Sequence, residues 1–324
     1  MDSQGEDRGF AHIPVLADEV IAYLAPALSR PGLVVDCTLG GGGHAEAILQ
    51  AFEQAHLVGI ERDEQALEAA SRRLEGFGKR FLAARGNFSE VRELIDEKDL
   101  GEVAGMVYDL GVSSPQLDLA ERGFGYRSDA PLDMRMDRSS PHTAEDVVNS
   151  YSQSDLKTIL SAYGEERFAG RIASAIVRRR QAEPFKTTKD LADVVRSAIP
   201  APTRRTGPHP ARRTFQAIRI EVNDELGSLK SSLEDAISLL RPGGRLLVIS
   251  YHSLEDRIVK RRLVAGAKGC TCPPELPVCA CGKGTELRII TRKPVRPSAE
   301  ELEANPRSDS AKLRVAEKLE AVGG

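Results

Sequence analysis

The stretch Leu33-Val34-Val35-Asp36-Cys37-Thr38-Leu39-Gly40-Gly41-Gly42-Gly43-His44 decides how the chain reads. A β-branched run ends in an acid. Four consecutive glycines then let the backbone turn tightly and approach a ligand closely where the next helix begins. Working outward, residues 44–52 read as a helix and His56-Leu57-Val58-Gly59-Ile60 as a second strand, ending in Glu61, 21 residues after Gly40. Asp63 is placed to cap a helix through Leu74, with apolar residues at Ala66, Leu67, Ala70 and Leu74. Phe81-Leu82-Ala83-Ala84 reads as a weak third strand and residues 104–110 as a fourth. This alternation predicts a parallel, doubly wound sheet with right-handed crossovers.

The pattern then stops. Between about 117 and 218 no buried strand is predicted, and residues 165–180 and 188–199 carry helical periodicity between proline-containing loops. Sheet-type organisation resumes with a helix over 222–240, stopped by Arg241-Pro242-Gly243-Gly244. A buried strand over 246–251 follows, and another over 287–291. The expected architecture is one α/β domain, residues 1–116 and 219–324, interrupted by a helical insertion over 117–218. The second part carries a Cys-containing loop and a C-terminal tail.

At 324 residues the length suits about two domains. Hydrophobic residues at 41% and charged residues at 29% exclude a disordered chain. No apolar run approaches the ~20 residues of a membrane span. The polar, acidic start MDSQGEDRGF is unlike a secretory signal, so a cytoplasmic protein is expected. Cys270, Cys272, Cys279 and Cys281 form two C-x-C pairs rather than the C-x2-C of zinc ribbons, so no metal is assigned to them. Tryptophan is absent and aromatics are 5%, which argues against a base-stacking platform of many rings. The net charge of −3 hides an asymmetry. From Arg167 to Arg219 there are 13 Lys/Arg against Glu183, Asp190 and Asp193, a local balance of +10. Such a stretch is either a solvated helical surface or a phosphate-contacting one.

An acid at the end of the second strand, here Glu61, commonly accepts hydrogen bonds from ribose hydroxyls. The glycine turn does not match G-x-G-x-x-G, and no Walker lysine follows it. The segments around Gly40 to Gly43 and Glu61 are poor in Lys and Arg, which fits S-adenosyl-L-methionine, a cofactor without phosphate, better than NADP. Gly86-Asn87-Phe88 follows the third strand, where Phe88 is either an adenine contact or an ordinary core residue. Tyr108-Asp109-Leu110-Gly111-Val112-Ser113-Ser114-Pro115-Gln116 follows the fourth strand, at the carboxyl edge where open α/β sheets bind ligands. It is similar to the [Asp/Asn/Ser]-Pro-Pro-[Tyr/Phe] loop of methyltransferases acting on exocyclic amines. Such an amine is a poor nucleophile, and carboxylate, hydroxyl or carbonyl acceptors can aim its lone pair at an activated methyl group. Asp109, Ser113, Ser114 and Pro115 are therefore the candidate catalytic residues.

Long segments along nearly the whole chain resemble the RsmH (MraW) family, the bacterial 16S rRNA cytosine-N4 methyltransferases. They include His12-Ile13-Pro14-Val15-Leu16, Gly42-Gly43-His44, Asp109 through Gln116 into Glu121-Arg122-Gly123-Phe124, and Pro131-Leu132-Asp133-Met134-Arg135-Met136-Asp137. Further matches are Tyr163-Gly164-Glu165-Glu166-Arg167-Phe168, His209 through Ala217, Ser253-Leu254-Glu255-Asp256-Arg257-Ile258-Val259-Lys260 and Asn305-Pro306-Arg307. The resemblance implies a class I Rossmann-like methyltransferase fold with an inserted substrate-recognition domain. It also implies methyl transfer to N4 of cytidine 1402 in the decoding region of the small ribosomal subunit. Matching positions imply that Gly42, Gly43, His44, Glu61, Phe88, Asp109 and Gln116 contact the cofactor. Glu61 stands where many relatives have Asp.

With that resemblance, the basic residues Arg178, Arg179 and Arg180, Arg204 and Arg205, and Arg212 and Arg213 read as rRNA contacts. Such contacts supply affinity and salt dependence but little base choice. His209 and His252 are placed in the cleft as substrate contacts. The expected partner is 16S rRNA within the small subunit, with no membrane; a homodimer stays open. Met134 and Met136 are expected in the core. Two other functions compete: N-methylation of bases in duplex DNA, and an RNA-binding assembly factor with a vestigial cofactor site.

Overall fold

Seven strands form one sheet in the order β3-β2-β1-β4-β5-β7-β6. They are β1 (Gly32–Asp36), β2 (Ala55–Glu61), β3 (Phe81–Arg85), β4 (Val103–Asp109), β5 (Leu240–Ser250), β6 (Leu287–Ile289) and β7 (Lys312–Lys318). The computed structural model describes residues 14–96, 101–112, 116, 119–204, 209–269, 272 and 284–320. Ser113, Ser114, Pro115, Arg205, Cys270, Cys279 and Cys281 lie outside the described residues. The chain divides into two compact units, one of Met1–Gly111 with Ser228–Gly324 and one of Val112–Gly227.

The sheet belongs to the first unit. Strands β1 to β5 pair in parallel, and β7 runs antiparallel between β5 and β6. Central strands of a parallel sheet are covered on both faces and read as continuous apolar runs. Val35, Val58, Met106, Leu246 and Val248 belong to one buried cluster. Their neighbours Val34, Leu57, Val107, Leu247 and Ile249 belong to another. This alternation is what a strand with both faces buried requires.

Four helices precede or connect the first strands: α1 (Ala17–Leu24), α2 (Gly43–Ala51), α3 (Glu64–Leu74) and α4 (Val91–Asp96). Asp63 caps α3 as predicted, its Oδ1 accepting the Gln65 N–H at 3.2 Å. The helix α1 is additional to the sequence reading. It follows Leu16, whose left-handed φ of 56° turns the chain into it.

The second unit is helical: α5 (Ala144–Ser150), α6 (Gln153–Ala162), α7 (Ala169–Ala182), α8 (Thr188–Ala198) and α9 (Arg212–Asn223). Its core gathers Leu132, Val147, Leu160, Ile172, Ile176, Phe185, Leu191 and Phe215, with Met134 and Met136 buried among them as expected. Thr143 and Thr187 begin α5 and α8 with capping boxes closed by Asp146 and Asp190.

Two helix boundaries differ from the sequence reading, for the same reason. The helix expected over 165–180 starts at Ala169 because Glu165 has a φ of 47°. The helix expected over 222–240 is α10 (Glu225–Leu239), separated from α9 by Asp224 at a φ of 43°. A left-handed residue breaks the i to i−4 ladder, and Asp adopts that conformation more readily than most. Beyond it, α11 (Ser253–Lys268) and α12 (Ala299–Ala304) complete the first unit. No described helix is long and apolar enough to cross a membrane.

Candidate functional site

The glycine turn lies at the carboxyl end of β1, where the chain passes into α2. Gly40 and Gly42 have φ of 49° and 78°. A Cβ added to Gly42 would press on Leu74 Cδ1 at 3.2 Å and Ala70 Cβ at 3.3 Å, so that glycine is needed for both conformation and packing. A Cβ added to Gly41 would meet nothing within 4 Å, leaving one side of the turn open. Gly43 opens α2, and His44 sits buried in its first turn.

Glu61 ends β2 and faces the turn. Its Oε2 accepts the Gly40 N–H at 2.9 Å and its Oε1 the Asp63 N–H at 2.9 Å. Burial raises its carboxyl above the ordinary range, and these two amides partly offset that. The carboxylate is thus fixed by backbone donors, with lone pairs left for a diol. The methylene that distinguishes Glu from Asp is accommodated by this two-amide clasp.

Asp36 was not among the expected site residues. It ends β1 fully buried, and burial pushes its carboxyl up to about 6. His44 and the Thr38 N–H, at 3.1 Å, pull in the opposite direction, while Asp109 and Glu61 add to the rise. His44 lies with Nε2 3.5 Å from Asp109 Oδ2, an ion-pair separation rather than a tight hydrogen bond. Burial lowers the basicity of His44, but Asp109 and Asp36 outweigh it and the net direction is upward.

Asp109 stands at the end of β4, adjacent to β1 in the sheet. Its N–H donates to Thr38 Oγ1 at 2.6 Å, and its Oδ1 accepts the Tyr251 hydroxyl at 2.8 Å. Neither Thr38 nor Tyr251 was singled out from sequence. The only available signal was their position after the buried strands β1 and β5. Phe88 sits in a short 3-10 turn after β3, half-buried, with its ring edge-on to Tyr108 at 5.9 Å. Cys37 is buried against Met106, and burial pushes its thiol up, so it is held as a neutral core side chain rather than a nucleophile.

Three carboxylates, Asp36, Glu61 and Asp109, thus converge at the ends of β1, β2 and β4. Arg73, which reaches the Gly41 carbonyl at 3.4 Å, is paired with Glu46. These acceptors suit a ligand carrying a ribose diol and positive charge, and among the described residues the edge shows no cluster of basic side chains such as a pyrophosphate requires. The buried His44 nitrogens, which make no short hydrogen bond, add polar capacity at the same edge.

His252 is the N-cap of α11: its Nδ1 accepts the Glu255 N–H at 3.4 Å, and its Nε2 lies 3.2 Å from Glu255 Oε1. In the second unit Gln116 is buried. There, Arg178 and Arg212 are exposed, and their side chains form no ion pair among the described residues. Arg179 is bound to Glu183 and lies over the Phe185 ring. Arg204 donates to the Arg196 carbonyl at 3.2 Å and Arg213 to that of Glu165 at 3.0 Å. Arg180 is internal, donating to the Val148 and Tyr151 carbonyls at 2.7 and 2.6 Å. His209 stacks on Tyr126 at 4.5 Å, and partial burial, with Arg127 and Arg196 nearby, lowers its basicity.

The parallel sheet with its antiparallel β7 and the acid-rich strand edge together define a class, the S-adenosylmethionine-dependent methyltransferases of Rossmann-like fold. Within that class the chain belongs to the MraW methylase family, whose model matches residues 9–319. It is 54% identical to the ribosomal RNA small subunit methyltransferase H of Symbiobacterium thermophilum, over 96% of this chain and 98% of that one. The proteins of the same name from Heliobacterium mobile and Thermobifida fusca are 53% and 54% identical, over 96% and 95% of this chain and 99% and 93% of theirs.

Proposed function

We propose that the protein methylates N4 of cytidine 1402 in 16S rRNA of the small ribosomal subunit. The observation that carries this reading is Asp109, its backbone N–H held by Thr38 and its carboxylate by the Tyr251 hydroxyl, at the edge where the methyl donor belongs. Near full-length likeness to proteins named for small-subunit rRNA methylation supports the substrate.

The Gly40 to Gly43 backbone, Glu61 and Phe88 would hold S-adenosylmethionine, which when bound would supply a methyl group already activated on a sulfonium. The chain has then to bind, orient and exclude. Asp109 accepts a hydrogen bond from the cytosine amino group, drawing one N–H toward the carboxylate and aiming the nitrogen lone pair at the methyl carbon. With the donor bound, the N–C bond would form as the C–S electron pair goes to sulfur, giving the neutral thioether, and the proton lost by the amine would pass to the Asp109 carboxylate and on to solvent. The Asp109 oxygens face the positive charge that develops on nitrogen meanwhile and stabilise it. Ser113, Ser114 and Pro115 are assigned to the same task of holding the amine, with Gln116 beside them in the chain as a cofactor contact.

The helical unit, expected from sequence over 117–218, takes the role of RNA recognition in this reading. Arg178 and Arg212 supply uncommitted charge to phosphates; Arg179, Arg204, Arg205, Arg213, His209 and His252 are the remaining substrate contacts of the proposal. Since phosphate contact carries little base information, selection of one nucleotide draws on the folded RNA and an unstacked base.

Labelled methyl transfer to small subunits lacking the mark, to naked 16S rRNA and to duplex DNA tests the substrate class. Label on the subunit is the expected outcome. Label on duplex DNA alone would move the function to DNA, and cofactor binding without any transfer would favour an assembly factor.

A further inference from the structure

Asp109 is not held by its own strand alone. In the parallel ladder it lies opposite Ile249 of β5, and the Leu110 N–H donates to the Ile249 carbonyl at 3.0 Å. Two residues beyond Ile249, Tyr251 reaches across and donates its hydroxyl to Asp109 Oδ1 at 2.8 Å. The tyrosine is itself anchored. Its N–H donates to Glu255 Oε2 at 2.8 Å, and that buried carboxylate also accepts the His252 N–H at 3.1 Å. On the other side, Gly111 crosses the tyrosine ring with a φ of 111°, and a Cβ there would lie 3.4 Å from Cδ2. The Tyr251 backbone is therefore anchored by Glu255, its ring lies beside Gly111, and its hydroxyl reaches Asp109. Burial and the adjacent Asp109 carboxylate push the phenol well above its ordinary range, so the group remains an O–H donor.

We propose that Tyr251 is a positioning residue for the methyl transfer: its hydroxyl fixes Asp109 so that the carboxylate keeps the orientation in which it receives the amine. The inference rests on the reading of Asp109 as the acceptor of that amine. Thr38 holds only the Asp109 backbone, and His44 faces Oδ2 at the longer distance of 3.5 Å. Without the phenol, Oδ1 loses its side-chain hydrogen-bond donor among the described residues, the contact that fixes χ2. Misplacement of a reacting partner by about 1 Å lowers turnover by as much as ~100-fold while leaving ground-state affinity little changed.

Tyr251→Phe removes a single oxygen and keeps the ring under Gly111. The experiment compares wild type, Tyr251→Phe, Asp109→Asn and the double variant. Read out are kcat and KM on small subunits, S-adenosylhomocysteine affinity by calorimetry, and the thermal unfolding midpoint. Expected for Tyr251→Phe is a fall of about 10- to 100-fold in kcat, with KM, product affinity and midpoint close to wild type. Added to Asp109→Asn, it should lower kcat by less than about twofold further, because both act through one group. Wild-type turnover by Tyr251→Phe beside an inactive Asp109→Asn would overturn the inference while leaving the Asp109 reading intact. Full turnover by Asp109→Asn would overturn the reading itself and, with it, the inference. A kcat loss that tracks a fallen midpoint or product affinity, or that multiplies with Asp109→Asn, would show that Tyr251 only packs, which also overturns it.

Discussion

Asp36 shows how one buried acid links the site to stability. Its carboxyl rises from an ordinary 3.8 to about 6, with burial the largest cause. Between those values the folded protein binds a proton that the unfolded chain has released, so stability falls as pH rises through this window. Below it both states are protonated, and above it both are ionised. Asp36→Asn keeps an oxygen for the Thr38 N–H and removes the titration. The stability of the variant relative to wild type should therefore grow by up to about 3 kcal/mol between pH 4 and pH 6 and then level off. Parallel urea-unfolding stabilities across that range would contradict it. Glu61 was legible in sequence because a strand-end acid after a glycine turn is a local signal. Tyr251 was not: its partner Asp109 is 142 residues away, and only the pairing of β4 with β5 joins them.

At the level of elements, β7 marks the limit of local reading. Lys312-Leu313-Arg314-Val315-Ala316-Glu317-Lys318 carries charge at four of seven positions and reads as a tail. In the fold Arg314 binds Asp256 at 2.6 Å and Glu317 binds Arg245 at 2.7 Å, while Leu313 and Val315 are buried between β5 and the layer above them. Strand pairing and ion pairing together convert a polar pattern into an interior strand, and neither is encoded within seven residues. Leu313→Ala should accordingly cost about 2–5 kcal/mol in urea unfolding. A cost below about 0.5 kcal/mol, as at an exposed site, would contradict the interior placement. Similarly, β5 begins at Leu240, before the expected turn, because Val103 pairs with Leu240 and a register shift resumes the ladder at Gly105 and Arg245.

The basic helix α7 separates two kinds of arginine that sequence treats alike. Arg180 satisfies the Val148 and Tyr151 carbonyls, so Arg180→Ala should destabilise the second unit by about 1–3 kcal/mol. Arg178→Ala and Arg212→Ala remove exposed charge. Each should leave the unfolding midpoint unchanged and reduce the salt slope of subunit binding by about 1. An unchanged slope in both would remove these residues from the RNA-contacting set.

For the whole molecule, a net charge of −3 gives no hint of an RNA partner, although residues 167–219 carry 13 Lys/Arg against three acids. The acids gather instead where β1, β2 and β4 end. The carboxylates Asp36, Glu61 and Asp109 belong to the first unit, and the basic stretch 167–219 to the second. Fold class and cofactor edge were open to sequence because glycine turns, strand-end acids and parallel-strand runs are local. What remained hidden depends on strands meeting across long separations. The most direct measurement is mass analysis of 16S rRNA fragments and nucleosides after small subunits lacking the mark react with the protein and S-adenosylmethionine. One added methyl on the fragment bearing cytidine 1402, recovered as N4-methylcytidine, is the predicted result. A methyl on another nucleotide, or on a ring carbon of that cytidine, would contradict the account.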